Sequence, residues 1–220
     1  YNDYEQAIIK NPNDHYAYFC LGNLDYEIGE EEDAIKNLTK ALEINSDCDI
    51  YFFFLEAFKK SLLNDYKGAI EYFSYALESD PTNAAAYDFR GTIKYVDLKD
   101  NKGAIEDYLK SIGINPRNVH VLEWCASCYK DLKDFENSIL FYSKAIKVLD
   151  NYPRKISTSI VESRLFYDRA WAKFYGGDIK GCFDDRDKAA EIAPRQFHSR
   201  LWISQRRELF LTEHPELRDQ

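Results

Sequence analysis

The chain has 220 residues, 45% of them hydrophobic, with 38 acidic against 29 basic side chains and a formal net charge of −9. That balance argues against a nucleic-acid partner, because neutralising phosphates needs clustered Lys and Arg. The longest apolar run, Ile50 to Leu55, is far short of the ~18 residues of a membrane-inserting helix. Five cysteines in a chain of this size read as reduced thiols, which points to a cytoplasmic address, and nine glycines with six prolines favour helices over turn-rich β architecture.

Taken in chain order, the same layout recurs. Residues 1–14 carry Tyr4 and Ala7 on a helix that stops at Asn11-Pro12. Residues 15–48 place Tyr18 and Gly22 on one helix, then Ala34, Leu38 and Ala41 on a second. Residues 49–83 repeat this with Phe52, Glu56, Ala69, Phe73 and Ala76 before Asp80-Pro81. Residues 84–118 offer Tyr87, Gly91, Ala104, Tyr108 and Ser111 before Asn115-Pro116, and 119–152 offer Leu122, Ala126, Ser138, Tyr142 and Ala145. An insertion near 153–162 follows, where Pro153 ends one helix and Ile156, Ile160 and Leu165 start the next about two turns early. Residues 163–196 close the series with Phe166, Ala170, Cys182, Arg186 and Ala189, ahead of Ala193-Pro194. Residues 197–220 read as a capping helix, bearing Trp202 and Leu209, and a tail.

Six small residues, Ala7, Ala41, Ala76, Ser111, Ala145 and Ala189, thus fall 34, 35, 35, 34 and 44 apart. Each full repeat is two amphipathic helices with small residues where backbones approach most closely. Asn13-Asp14, Asn83 and Asn118 are placed to cap first helices. Gly68, Gly103 and Gly181 stand just before the small residue of the second helix, where a larger side chain is expected to push helices apart.

This pattern resembles the tetratricopeptide repeat, a helical hairpin of about 34 residues with this order of aromatic, small and proline positions. The resemblance covers residues 1 to about 196. It implies an all-α fold, an α-α solenoid forming a right-handed superhelix of antiparallel helix pairs, with about five and a half repeats and a C-terminal helix. The chain opens mid-repeat, so an upstream extension is expected to cover the face of the first helix. Arg90 and Arg169 depart from the family, which usually has Leu at these positions. Either their repeats are looser, or the stems are buried while the charged heads reach water.

No chemistry rises out of the motifs. Cys125 and Cys128 form a Cys-x-x-Cys, but it lies mid-helix, away from the N-terminal dipole that would activate a thiol, and no second ligand pair accompanies it. The four histidines, His15, His120, His198 and His214, show no helical pairing. No phosphate loop or nucleophile elbow is visible. The expectation is therefore no enzyme, no catalytic residue, no cofactor and no metal.

The resemblance implies that the first helices line an inner groove. Its groove positions are Tyr16, Phe19, Asn23 and Tyr26; Ile50, Phe53, Ala57 and Lys60; Ala85, Asp88, Thr92 and Tyr95. They continue with His120, Glu123, Ser127 and Lys130, then Arg164, Tyr167, Trp171 and Phe174, with Trp124 bordering the same surface. About half of the aromatics here are expected to pack between helices. The rest suit burial of a partner's extended peptide or helix. A chaperone-carboxylate clamp is disfavoured, since only Asn23 matches its pattern. The expected function is a protein-interaction module with a protein or peptide partner. The alternative is a scaffold or oligomer subunit joined through its ends, with self-association through the N-terminal helix.

Overall fold

The computed structural model describes residues 2–151 and 156–192. These form eleven α-helices: α1 (Asn2–Lys10), α2 (His15–Glu27), α3 (Glu31–Ile44), α4 (Asp49–Leu62), α5 (Tyr66–Ser79), α6 (Ala84–Val96), α7 (Asn101–Ile114), α8 (Val119–Asp131), α9 (Phe135–Leu149), α10 (Ile156–Tyr175) and α11 (Ile179–Ile192). The helix expected after residue 197, and Pro153 with its helix stop, lie outside the described residues. The chain divides into two compact units between Asp134 and Phe135. In each, every helix packs on the next along the chain, as in an α-α solenoid.

Local chemistry explains where the helices begin. The side chain of Asp14 accepts the Ala17 N–H (3.0 Å), Asn83 that of Ala86 (3.0 Å), and Asn118 those of His120 and Val121. Second helices use a different device. Asp65, Asp100 and Asp178 accept the N–H of Gly68, Gly103 and Gly181, at 3.1, 3.0 and 2.9 Å. A Cβ on Gly68 would meet the Asp65 carboxylate at 2.5 Å, and on Gly103 or Gly181 it would meet Asp100 or Asp178. These glycines therefore make room for the capping carboxylate of their own helix, and not for the approach of a neighbouring helix as expected. Gly22 and Gly91 do hold close approaches: a Cβ there would lie 2.9 Å from the Leu38 side chain or 3.0 Å from the Tyr108 ring.

The hairpin turns share one conformation. Gly29, Asn64, Lys99, Lys133 and Gly177 all have positive φ, between 57° and 88°. The next N–H returns to a carbonyl of the preceding helix, as Glu30 does to Asp25 (2.8 Å) and Asp65 to Lys60 (2.9 Å). This left-handed residue closes the helix end and reverses the chain within three residues.

In the N-terminal unit the core is aromatic. Phe54, Phe58 and Phe73 are fully buried, with Phe89 joining them at ring separations of 5.0–6.0 Å, mostly edge-to-face. Such pairs add about 0.5–1.5 kcal/mol beyond area burial. Along the first helices Ala17, Tyr51, Ala86, Val121 and Leu165 are all buried. Each stands one position before the series Tyr18, Phe52, Tyr87, Leu122, Phe166. Of that series only Leu122 is fully buried, whereas Phe52 is exposed, and Tyr87 and Phe166 lie beneath the Arg90 and Arg169 guanidinium groups.

Those arginines are not loosely held: their heads are fixed on buried carboxylates, with the side chains only 18% and 16% exposed. Arg90 forms a two-pronged pair with Asp107 (3.0 and 2.6 Å), and its third nitrogen donates to Ser74 Oγ at 2.9 Å. Lys94 adds a second cation at 2.7 Å from Asp107, itself only 4% exposed. In the C-terminal unit Arg169 repeats this on Asp185 (2.7 and 2.6 Å) and Ser143 (2.8 Å), with Lys173 at 2.9 Å. Each cluster ties three helices together: α5, α6 and α7 in one unit; α9, α10 and α11 in the other. The C-terminal core otherwise joins Phe141, Tyr142, Leu165, Ala172 and Ala189, and Ser163 Oγ donates to the Ala189 carbonyl at 2.7 Å.

Candidate functional site

The first helices of the N-terminal unit, α2, α4, α6 and α8, distribute the expected groove residues over three depths. Phe19 lies in the core, stacked on Tyr51 (4.8 Å) and edge-on to Phe54 (5.0 Å). Ala57 is fully buried, and Asp88 is 5% exposed. At middle depth Tyr26 lies flat on Phe58 at 3.8 Å and donates its hydroxyl to Ser61 Oγ at 2.6 Å. Asn23 sits on the same helix, its Oδ1 buried and without a hydrogen bond among the described residues. At the surface is Tyr16, 61% exposed, with its ring 6.5 Å from Phe19.

Tyr95 and Trp124 come together from α6 and α8. Their rings meet edge-to-face at 5.4 Å. The Tyr95 hydroxyl donates to Asp131 at 2.9 Å, and the Trp124 indole N–H donates to His120 Nε2 at 2.7 Å. Both rings are half-buried, and Glu123 beside Trp124 is half-buried as well. Two successive first helices thus present amphipathic aromatics whose polar ends are already oriented.

Other expected residues go elsewhere. Phe53 turns to Tyr75 (5.8 Å) and Phe52 (5.9 Å), and Tyr72 closes the group. This aromatic quartet on α4 and α5 lies partly exposed at the surface. The reading of first helices alone missed its three further members, although their spacing on α5 (Tyr72, Tyr75) and adjacency on α4 (Phe52, Phe53) carry the signal. Lys60 pairs with Asp65 at 2.9 Å. In the C-terminal unit, α10 carries Tyr167 and Trp171 with ring centroids 6.5 Å apart, Trp171 stacks on Tyr175 at 5.4 Å, and Arg164 is exposed.

Electrostatically the notable group is Asp88. Burial pushes its carboxyl up to about 7, the Glu27 charge adds to this, and the Thr92 hydroxyl opposes it. The buried thiols are packing groups. Cys125 and Cys128 are fully buried in α8, where burial raises Cys128 far above the usual thiol range, and burial pushes Cys182 up to about 11. Among the described residues no group of three His, Cys, Asp or Glu side chains is arranged to hold a metal, and no helix is long and apolar enough to cross a membrane.

The tetratricopeptide-repeat family model matches residues 15–48, 84–118 and 120–148. No curated protein matches the sequence. Among solved structures the chain is similar to a MamA protein (17% identity, TM-score 0.58, covering 84% of this chain and 95% of that one). It is similar to YrrB (20%, 0.55, 87% and 93%) and to BtubC from P. vanneervenii (14%, 0.63, 90% and 88%). At these identities the likeness is one of fold. Helix pairs of this period, capped and turned alike, are matched by the family model at three segments, so this chain carries tetratricopeptide repeats at 15–48, 84–118 and 120–148 within an all-α solenoid fold.

Proposed function

We propose that this protein is a non-catalytic interaction module whose first-helix groove holds a peptide or helical segment of a protein partner. The observation that carries this is the Tyr95–Trp124 pair with its bonds to Asp131 and His120. Half-buried Tyr and Trp rings with oriented polar ends bury much area for little lost side-chain entropy on binding, and such residues dominate interface energetics. Tyr26 carries the same surface chemistry on α2, with Phe19 and Asp88 beneath it, and within the other compact unit Tyr167 and Trp171 carry it on α10. YrrB, similar in fold, is described as a tetratricopeptide-repeat protein with an unusual peptide-binding site, and this supports the reading by analogy.

The test is affinity capture from native lysate with the intact chain and with a Tyr95→Ala/Trp124→Ala variant, which spares the core that a Phe19 substitution would open. Loss of a captured protein by at least about tenfold, with circular dichroism unchanged, is the expected result. Equal capture by both would overturn the placement. Tyr4, Ile9 and Tyr16, exposed on α1 and α2, would then make assembly through that end the leading reading.

A further inference from the structure

The ends of α2, α4 and α6 border a half-open pocket of about 340 Å³. Its walls are aromatic: Tyr26, Phe89 and Tyr66 line it, with Phe89 edge-on to Tyr26 at 5.7 Å. Leu62, Ile93 and Val96 add an apolar flank. Ser61 and Asn64 supply oxygens, already engaged by the Tyr26 and Tyr66 hydroxyls at 2.6 and 2.7 Å. Two carboxylates complete the lining, Glu31 from the start of α3 and Asp97 just past α6.

The charge in this pocket is one-sided. No Lys, Arg or His lines it, and neither Glu31 nor Asp97 enters an ion pair among the described residues. Glu31 belongs to the run Glu27–Asp33, where five of seven side chains are acidic and none is basic. Carboxylates at the ends of an aromatic-walled cleft attract a cation twice over, by direct charge and through the ring faces. The apolar flank would cover the methylene stem of a long side chain. An acidic side chain would be repelled, and a neutral apolar one would bury the carboxylates without compensating them. The volume lies at the low end for small-molecule clefts and suits one side chain better than a large cofactor.

We propose that this pocket receives a lysine or arginine side chain of the partner segment. The source of the side chain rests on the groove reading; the cation specificity does not.

The experiment is an NMR titration of the ¹⁵N-labelled chain with N-acetyl-arginine amide and N-acetyl-lysine amide, with N-acetyl-norleucine amide as the uncharged control. Saturable shifts at the Tyr26, Tyr66 and Thr92 amides with the cationic probes, weakened by added salt, are expected. In a Glu31→Gln/Asp97→Asn variant the apparent affinity should fall about tenfold. Equal binding of the norleucine probe, or undiminished binding of the cationic probes to the variant, would overturn the proposal. So would shifts that fall elsewhere. The Tyr95→Ala/Trp124→Ala variant keeps the two readings apart. Single amino-acid probes need the pocket and not that face, so their binding there should be unchanged even where protein capture shows the groove reading to be wrong.

Discussion

In the α4–α5 hairpin the residue before the small position of the first helix is Leu55, 4% exposed against the aromatic core. In the adjoining α6–α7 hairpin the equivalent residue is Arg90. Three positions past the small residue of the second helix, Tyr72 in one hairpin becomes Asp107 in the other. The first hairpin is held by ring packing, the second by a buried two-pronged ion pair with a second cation and a serine acceptor. The same exchange recurs at Arg169, Lys173, Asp185 and Ser143 in the other compact unit. Lone buried charge is costly, yet a guanidinium whose fork is fully bonded loses little against a hydrophobic residue of similar volume. The repeat therefore constrains sets of positions. An arginine is accepted where leucine is usual because an aspartate stands opposite it.

The largest expected effect breaks one side of this comparison. Asp107→Ala leaves Arg90 and Lys94, both mostly buried, without their anion and should cost about 3 kcal/mol, read by urea denaturation. Replacing the whole cluster with apolar groups, Arg90→Leu and Asp107→Tyr as in the neighbouring hairpin together with Lys94→Met, should stay within about 1 kcal/mol of the parent. A replacement as damaging as the single change would mean that the ion cluster is not interchangeable with apolar packing.

Asp88 sharpens the comparison, because it is a buried carboxylate without such a cation. Its folded-state value, raised to about 7 from 3.8, means the folded protein binds this proton more tightly than the unfolded chain. The stability from that proton is full below about pH 4 and is lost as pH rises through 7, by about 2–4 kcal/mol. Asp88→Asn should remove this slope and be more stable than the parent above pH 7, as thermal melts across that range would show. Parallel pH profiles for the two proteins would refute the assignment.

The smallest effect concerns the turns. Lys99 occupies the left-handed conformation that Gly29 and Gly177 take in the equivalent turns. Relieving the Cβ penalty, partly offset by the greater freedom of glycine in the unfolded chain, should make Lys99→Gly stabilising by about 0.5–1 kcal/mol. A loss of stability in the same denaturation assay would show that the lysine side chain supports its turn in another way.

Much of this fold was legible from residue spacing. Small residues every 34 or 35 positions mark where helices touch, and Asp14, Asn83 and Asn118 cap the helices they precede, because capping is decided within three residues of chain. The ion clusters were not legible in the same way. Arg90 and Asp107 are 17 residues apart; Arg90 stands out only as a departure from leucine, and Asp107 looks like an ordinary surface charge until the hairpin closes and brings them within 3.0 Å. The glycines before the small positions were visible, but their purpose was misassigned, since the capping carboxylate that needs the space lies three residues upstream.

The candidate surface divides similarly. The family resemblance nominated Tyr95, Tyr26 and Phe19 by their groove positions, with Trp124 bordering the same surface. Sequence by itself thus determined the helices, their caps, their pairing and the aromatic richness of the first-helix face, all consequences of local periodicity and short connections. Only the tertiary structure decided which rings face inward, which arginines find their aspartates, and that three helix ends leave an acidic, aromatic pocket. Those outcomes depend on how side chains from separate helices share a small volume, and no spacing along one chain encodes that.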